Sequence, residues 1–256
     1  MIHKTAIVHP KAEIDEGVEI GPYSIIDENV RIGRGTIIGP HVIIKKFTRI
    51  GKNCNIYQFA SIGEIPQDQK FAGEETELII GDNNIIREFV TLNRGTKEGG
   101  GKTLIGNNNF LMAYSHVAHD CYLGNNVIMA NAATLAGHIT IEDYAIIGGL
   151  SAIHQFVRIG AYSLVGGASA VSQDVPPYCL AVGNRAKLYG LNLIGLKRRN
   201  FPSEIISALK SAYRIIFKSN LKLKDAIKKV EYEIKDLPEI KTFIDFLKNS
   251  KRGFCR

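Results

Sequence analysis

The sequence predicts a mainly-β solenoid: a parallel β-helix of hexapeptide repeats with a small α-helical domain at its C-terminal end. Three observations predict it: an aliphatic residue at every sixth position, a proline pair that stops this period, and helical amphipathic spacing beyond it. Stepping by six from Ile2 meets Val8, Ile14, Ile20 and every following aliphatic to Ile62 without a miss. After Ile80, Ile86 and Leu92 the step resumes at Ile105 and continues through Leu111 and Val117 to Val171. With aliphatics at about a third of positions, two such unbroken runs would arise by chance on the order of once in 10^11. Neither helical periodicity nor two-residue alternation yields a period of six. Three short flat strands per turn do, each side placing one large aliphatic inward beside a small residue and a tight corner. The position four after the aliphatic is suitably restricted (Ala6, Ala12, Val18, Ser24, Val30, Thr36), and Gly often follows it (Gly21, Gly33, Gly39, Gly51).

The first run, from Ile2 to Ile62, supplies the opening coils. Residues 63–79 interrupt it but keep the phase, and the 18-residue step from 62 to 80 reads as one full coil. Residues 93–104 (NRGTKEGGGKTL) shift the phase by one. Polar, Gly-rich excursions from a rigid solenoid are places where binding groups are displayed, the alternative being loops that merely tolerate insertion. Near Gln173-Asp174-Val175-Pro176-Pro177 the six-step stops, because prolines cannot donate to a ladder. The rest reads as helices. Ser203 is placed to cap a segment with Ile205, Leu209, Tyr213 and Ile216 on one face. A second segment aligns Leu223, Ile227, Val230 and Ile234, and a third, opened by Pro238, aligns Ile240, Phe243, Ile244 and Leu247. The expected domains are therefore 1–189 and 190–256.

Composition narrows the function. Lys and Arg number 32 against 25 Asp and Glu, a formal net charge of +7, which raises nucleic acid or a membrane surface as a partner. The charge is unevenly placed: residues 1–189 carry 16 basic and 18 acidic side chains, and residues 190–256 carry 16 and 7. A basic excess confined to a helical segment without a reading motif argues against nucleic acid. No apolar run approaches the ~20 residues of a transmembrane segment. The start, MIHKTAIVHP, lacks the pattern of a secretion signal. Cys54, Cys121, Cys179 and Cys255 are far apart and form no CxxC pair, so neither a zinc ribbon nor a disulfide scaffold is indicated and the expected setting is cytoplasmic. Cys54 and Cys121 also occupy small inward positions, where packing explains them.

Candidate chemistry gathers in one region. His3, His9 and His41 are scattered without partners, whereas His116, His119, His138 and His154 fall within 39 residues. Residues 18 apart stack on neighbouring coils, so His119 lies beside Gly137, which lies beside Gln155, and Asp120 lies beside His138. Three readings compete. In the first, His119 is a general base oriented by Asp120, with the Gly137 N–H facing a developing oxyanion. In the second, the histidines hold a metal, as in the γ-class carbonic anhydrases, which also use hexapeptide repeats. That family carries HxxxxH, whereas this chain has HxxH at His116 and His119. In the third, the histidines fill corners or stack between chains.

The motifs IPQDQK, SHVAHDC, LAGH, HQF, QDVPPY, GNRA and NLIGLKRR occur in this order along the chain. Together with the hexapeptide prism and helical end, this set resembles the acyl-carrier-protein–UDP-N-acetylglucosamine O-acyltransferases of lipid A biosynthesis, over essentially all 256 residues. The sister N-acyltransferase family carries an extra N-terminal domain, whereas the repeat here starts at residue 2. The resemblance implies a left-handed coil, a sense that spacing does not show. It implies transfer of an (R)-3-hydroxyacyl group from acyl carrier protein to the 3-OH of UDP-N-acetylglucosamine, with the thioester as co-substrate and no bound cofactor or metal. His119 matches the family's catalytic base, Asp120 its supporter and Gly137 its oxyanion-hole glycine. Asp68 and Lys70 match insertion residues that contact the sugar nucleotide, and His116, His138, His154 and Gln155 match cleft-lining residues. Asn192, Arg198 and Arg199 match the nucleotide-contacting end, although Ile194 stands where some members carry an acidic residue. Gly167 falls where the family sets acyl-chain length, with Arg185 nearby. The family works as a homotrimer with clefts between prisms. Because acyl carrier proteins are acidic, the stripe Lys210, Arg214 and Lys218, with Lys197, is expected to dock the donor. A hexapeptide sugar acyltransferase using acyl-CoA is the alternative within enzymes, and a non-catalytic scaffold the alternative outside them.

Overall fold

The computed structural model describes all 256 residues. The aliphatic positions fall where the six-step requires. From Val8 onward each is the inward residue of a two- to four-residue strand whose preceding side chain points outward, as in Glu19–Ile20, Arg31–Ile32 and Thr140–Ile141, while Ile2 makes an isolated bridge to Ile20. These strands stack in parallel at 18-residue register, for example Ile7↔Ile25 and Ile25↔Ile43, and form three sheets of nine, eight and ten strands. The product is a three-sided, left-handed β-helix with a helical domain after it. Columns of aliphatics such as Ile26, Ile44, Ile62, Leu92, Val117 and Leu135 fill its axis, each at most 1% exposed.

The corners explain the rest of the hexad. The third residue after the aliphatic takes a positive φ, as at Asn53 (53°), Asn126 (57°) and Tyr144 (62°). Left-handed backbone costs an L-residue roughly 1–2 kcal/mol, least for Asn and Asp. Stacking between coils offsets this at the aromatic corners. Tyr23, His41, Phe59, Phe89 and Tyr114 form one continuous column with ring centroids 4.8–5.3 Å apart. His41, unpartnered in sequence, is a structural member of that column.

The structure corrects three expectations. The segment from Ile62 to Ile80 advances one side of the prism, not one coil: Ile50 pairs with Ile80, and Ile62 with Leu92. A period of six cannot distinguish a full coil from an excursion at one corner that happens to be a multiple of six. Next, the chain does not pass directly from the prolines to helices. Cys179–Val182 adds a strand beside Leu164–Val165 and pairs antiparallel with Lys187–Leu191. Finally, the helical end holds four helices: α1 (Leu193–Arg198), α2 (Ser203–Lys218), α3 (Leu223–Glu233) and α4 (Pro238–Lys248). Ser203 is the first residue of α2 rather than its cap, a position held by Pro202. Pro238 opens α4 as its composition predicts. The C-terminal segment then returns to the prism, where the buried Asp174 accepts from the Arg158 N–H (2.8 Å) and the Ser250 hydroxyl (2.7 Å).

Candidate active site

The strand His116–Val117 ends in a corner formed by His119 and Asp120, and Asp120 holds the left-handed turn position (φ 59°). Its backbone N–H donates to Thr103 Oγ1 at 2.8 Å. Its carboxylate is fully buried. Oδ2 accepts from His119 Nδ1 (2.7 Å) and from the Thr96 hydroxyl (2.7 Å), and Oδ1 accepts from the Thr96 N–H (2.8 Å). A carboxylate only accepts, so the imidazole proton sits on Nδ1 and the Nε2 lone pair is free. Nε2 has no hydrogen-bond partner within the chain.

The coil above completes the corner. The His119 ring lies over Gly137, where a Cβ would stand 2.6 Å from Cε1 and 2.8 Å from Nε2. Glycine is required by this close approach. The Gly137 N–H donates to no group in the chain. His138 occupies the corner next to Asp120, with its ring edge-on to His119 at 5.2 Å and stacked on Phe156 at 4.7 Å. Its Nε2 lies 3.7 Å from Asp120 Oδ2.

His119, Asp120 and His138 are also the one group whose ligand atoms converge tightly enough to suggest a metal. The 2.7 Å between Nδ1 and Oδ2 is a hydrogen-bond distance. Two ligands of a tetrahedral zinc, at ~2.0–2.1 Å each, stand about 3.3 Å apart. The spacing suits a shared proton. The HxxH pair does not converge, since His116 Nδ1 bonds Thr91 Oγ1 at 2.7 Å on the strand. Burial holds the His116 pKa below its ordinary value, and the neighbouring His119 adds to the lowering.

Other expected site residues are distributed around this corner. The two insertions face each other across a cavity of about 440 Å³ lined by Asp68, Lys70, Glu74, Thr96, Lys97 and Glu98. Asp68 Oδ1 accepts from the Lys70 N–H (3.0 Å), and Lys70 Nζ stands 3.9 Å from Glu98. His154 and Gln155 are exposed at the outer edge, and Arg252 from the C-terminal segment approaches His154 Nδ1 at 3.4 Å. The Asn192 side chain caps α1, accepting from the Gly195 N–H (3.1 Å) and donating to the Tyr162 carbonyl (3.0 Å). Arg199 lies over the Tyr144 ring at 4.3 Å, while Arg198 and Ile194 are exposed on α1. Gly167 is exposed, with a Cβ position 3.4 Å from the Gly149 carbonyl. Arg185 follows Asn184, which bridges Ala170 three residues beyond Gly167. Lys197, Lys210, Arg214 and Lys218 are exposed and free of ion pairs.

Within one chain these residues occupy three different corners. Asp120, His138 and Phe156 share one, Tyr144 and Tyr162 beneath Arg199 share the second, and Gly167 lies at the third. Sequence reasoning missed Thr96, Phe156 and Arg252. Phe156 was reachable by the 18-residue step from His138, whereas no local signal points to the other two.

Comparison with known proteins identifies the family. Residues 174–255 match the family described as UDP-N-acetylglucosamine O-acyltransferase, domain 2, and residues 11–46 and 102–137 match the bacterial transferase hexapeptide family. An acyl-carrier-protein–UDP-N-acetylglucosamine O-acyltransferase from Thermodesulfovibrio yellowstonii is 59% identical over 255 residues, covering 100% of this chain and 99% of its own. A UDP-N-acetylglucosamine acyltransferase structure from Bacteroides fragilis superposes with a TM-score of 0.98 at 48% identity, covering 100% of both chains. The structure of the Acinetobacter baumannii protein gives 0.96 at 48% identity, covering 100% of this chain and 99% of that one. With identity and fold shared from end to end, this chain belongs to the UDP-N-acetylglucosamine O-acyltransferase family of hexapeptide-repeat transferases.

Proposed function

We propose that the chain transfers an (R)-3-hydroxyacyl group from an acyl carrier protein thioester to the 3-OH of UDP-N-acetylglucosamine, the first step of lipid A biosynthesis. The observation that carries this reading is His119, held by a buried carboxylate at 2.7 Å with Nε2 left free. Nε2 accepts the proton of the 3-OH as its oxygen attacks the thioester carbonyl. Asp120 stabilises the imidazolium that forms, and the unengaged Gly137 N–H receives the carbonyl oxyanion. Collapse breaks the C–S bond, and the imidazolium returns its proton to the departing thiolate. Asp68 and Lys70 reach the sugar nucleotide from the first insertion, His116, His138, His154 and Gln155 line the cleft, and Arg198 and Arg199 face the nucleotide. Asn192 acts there through α1, whose start it caps. Gly167 leaves room for the acyl chain, and Arg185 borders that space.

The working unit in this reading is a homotrimer in the cytoplasm. Three corners of one prism cannot meet, and in this reading a neighbouring prism brings Arg199 and Gly167 towards His119 and excludes water. Exposed aromatics along one corner, including Tyr23 (60%) and Phe59 (48%), support self-association. No helix is long and apolar enough to cross a membrane. Residues 1–189 form the catalytic prism, and residues 190–256 dock the acidic carrier through Lys197, Lys210, Arg214 and Lys218.

The test is product formation from UDP-N-acetylglucosamine with matched carrier-protein and CoA thioesters. Transfer from the carrier-protein donor is expected, with His119→Ala slower by at least about 10^2-fold while keeping its fold. Near wild-type turnover by His119→Ala, or a preference for CoA donors, overturns the reading.

A further inference from the structure

We infer that Thr96 is a positioning residue for the His119–Asp120 pair, and that the second insertion clamps the carboxylate rather than displaying a substrate-binding group. The functional consequence rests on the acyl-transfer reading above, whereas the geometry stands without it.

Asp120 has lost all contact with water, so its charge must be met by donors from the protein. Three short bonds meet it, and two of them come from Thr96: the N–H to Oδ1 (2.8 Å) and the hydroxyl to Oδ2 (2.7 Å). The third is His119 itself. Thr96 is only 5% exposed, and its hydroxyl accepts from the Gly99 N–H at 3.1 Å. That occupied lone pair directs the hydroxyl proton towards the carboxylate. Gly101 N–H closes the loop onto the Thr96 carbonyl at 2.8 Å. Gly99 passes so near that a Cβ there would collide with the Asp120 carboxylate. The Gly-rich run is thereby explained: the loop must lie directly against a buried anion.

The clamp fixes the carboxylate's rotation, and with it the acceptor seen by His119 Nδ1. Without the hydroxyl, the imidazole it is meant to orient is the one hydrogen-bond donor left on Oδ2, with His138 Nε2 standing off at 3.7 Å. The carboxylate can then turn, and the imidazole gains access to the tautomer with its proton on Nε2. In that tautomer Nε2 is a donor and cannot accept the acceptor-sugar proton. Partners that orient a catalytic imidazole through its other nitrogen have effects of about 10–100-fold in related settings.

Thr96→Val removes the hydroxyl while keeping the shape and the backbone N–H, and Thr96→Ser restores the hydroxyl. In the full-length protein with 15N-labelled histidine, the wild-type His119 signal is expected from the Nδ1–H tautomer. Thr96→Val is expected to add an Nε2–H population and lower kcat by at least about 10-fold, with the KM for UDP-N-acetylglucosamine within about twofold. Thr96→Ser should return kcat to within about threefold of wild type. An unchanged tautomer and kcat in Thr96→Val overturns the proposal, and so does a Thr96→Ser protein as impaired as the valine variant. Gly99→Ala keeps Thr96 but drives a methyl into the carboxylate, so it gives a second reading should the valine variant not fold. The same tautomer shift is expected there, and a wild-type spectrum counts against the clamp. Should the wild type transfer no acyl group at all, the functional reading fails while the tautomer spectrum still decides the role of Thr96.

Discussion

At the residue scale, burial distinguishes the histidines more sharply than their clustering does. Both rings bond through Nδ1, but His119 Nδ1 meets a buried carboxylate, whereas His116 Nδ1 meets the neutral Thr91 hydroxyl on the strand. Burial lowers the His116 pKa below its ordinary value of about 6.5. An unfolded chain therefore takes up a proton near that pH which the folded chain refuses. Below the unfolded pKa the folded state loses stability, and the loss grows until pH reaches the depressed folded value. The urea midpoint of the wild type should fall more between pH 7.5 and pH 5 than that of His116→Gln, and parallel curves would contradict this assignment. The buried thiols agree with their packing reading: desolvation pushes Cys121 up to about 12, leaving it protonated and inert.

At the element scale, the hexad is stabilised by an inward ladder of small polar side chains beside its aliphatic core. Asn84 Nδ2 donates to the carbonyls of Gly81 (2.9 Å) and Gly106 (2.8 Å), and its Oδ1 accepts from the Asn109 N–H (2.9 Å). Asn109 Oδ1 in turn accepts from the Val127 N–H at 2.7 Å. Asn84→Ala leaves the Gly106 carbonyl and the Asn109 N–H unpaired in a dry corner and the Gly81 carbonyl with only the Cys54 thiol (3.2 Å), and chemical denaturation should show a loss of about 2–4 kcal/mol. A loss below about 0.5 kcal/mol would mean the corner admits water. The strands themselves were legible because one period governs burial, register and corners together. The first insertion was misplaced because arithmetic modulo six is blind to where extra residues leave the prism. The hairpin after Pro177 was missed because the closing strand follows no hexad and is held by an antiparallel partner, Lys187–Leu191.

At the scale of the whole molecule, the net charge of +7 resolves into a prism close to neutral and a basic helical end. The candidate site residues lie at three corners of one prism, which makes the proposed assembly testable. In the proposed trimer each site takes His119 from one chain and Arg199 from its neighbour. Mixing His119→Ala with Arg199→Ala subunits during assembly should rebuild wild-type sites, and random association gives about a quarter of wild-type activity. Each variant alone should be far weaker. Activity that never exceeds the mean of the two variants would place both residues in one chain's site. Light scattering should give three times the 28.2 kDa chain mass.

The sequence by itself determined the coil, because a solenoid's contacts repeat at a fixed separation and leave a fixed trace in the chain. It also placed Asp120 beside His138 and His119 over Gly137, since 18-residue stacking is part of the same period. Only the tertiary structure decided what surrounds that corner. Thr96 meets Asp120 from 24 residues away, across a loop that shifts the phase, and Ser250 meets Asp174 from 76 away. Such contacts obey no repeat. They form because a buried carboxylate must find donors wherever the folded chain brings them, and no spacing in the sequence records where that will be.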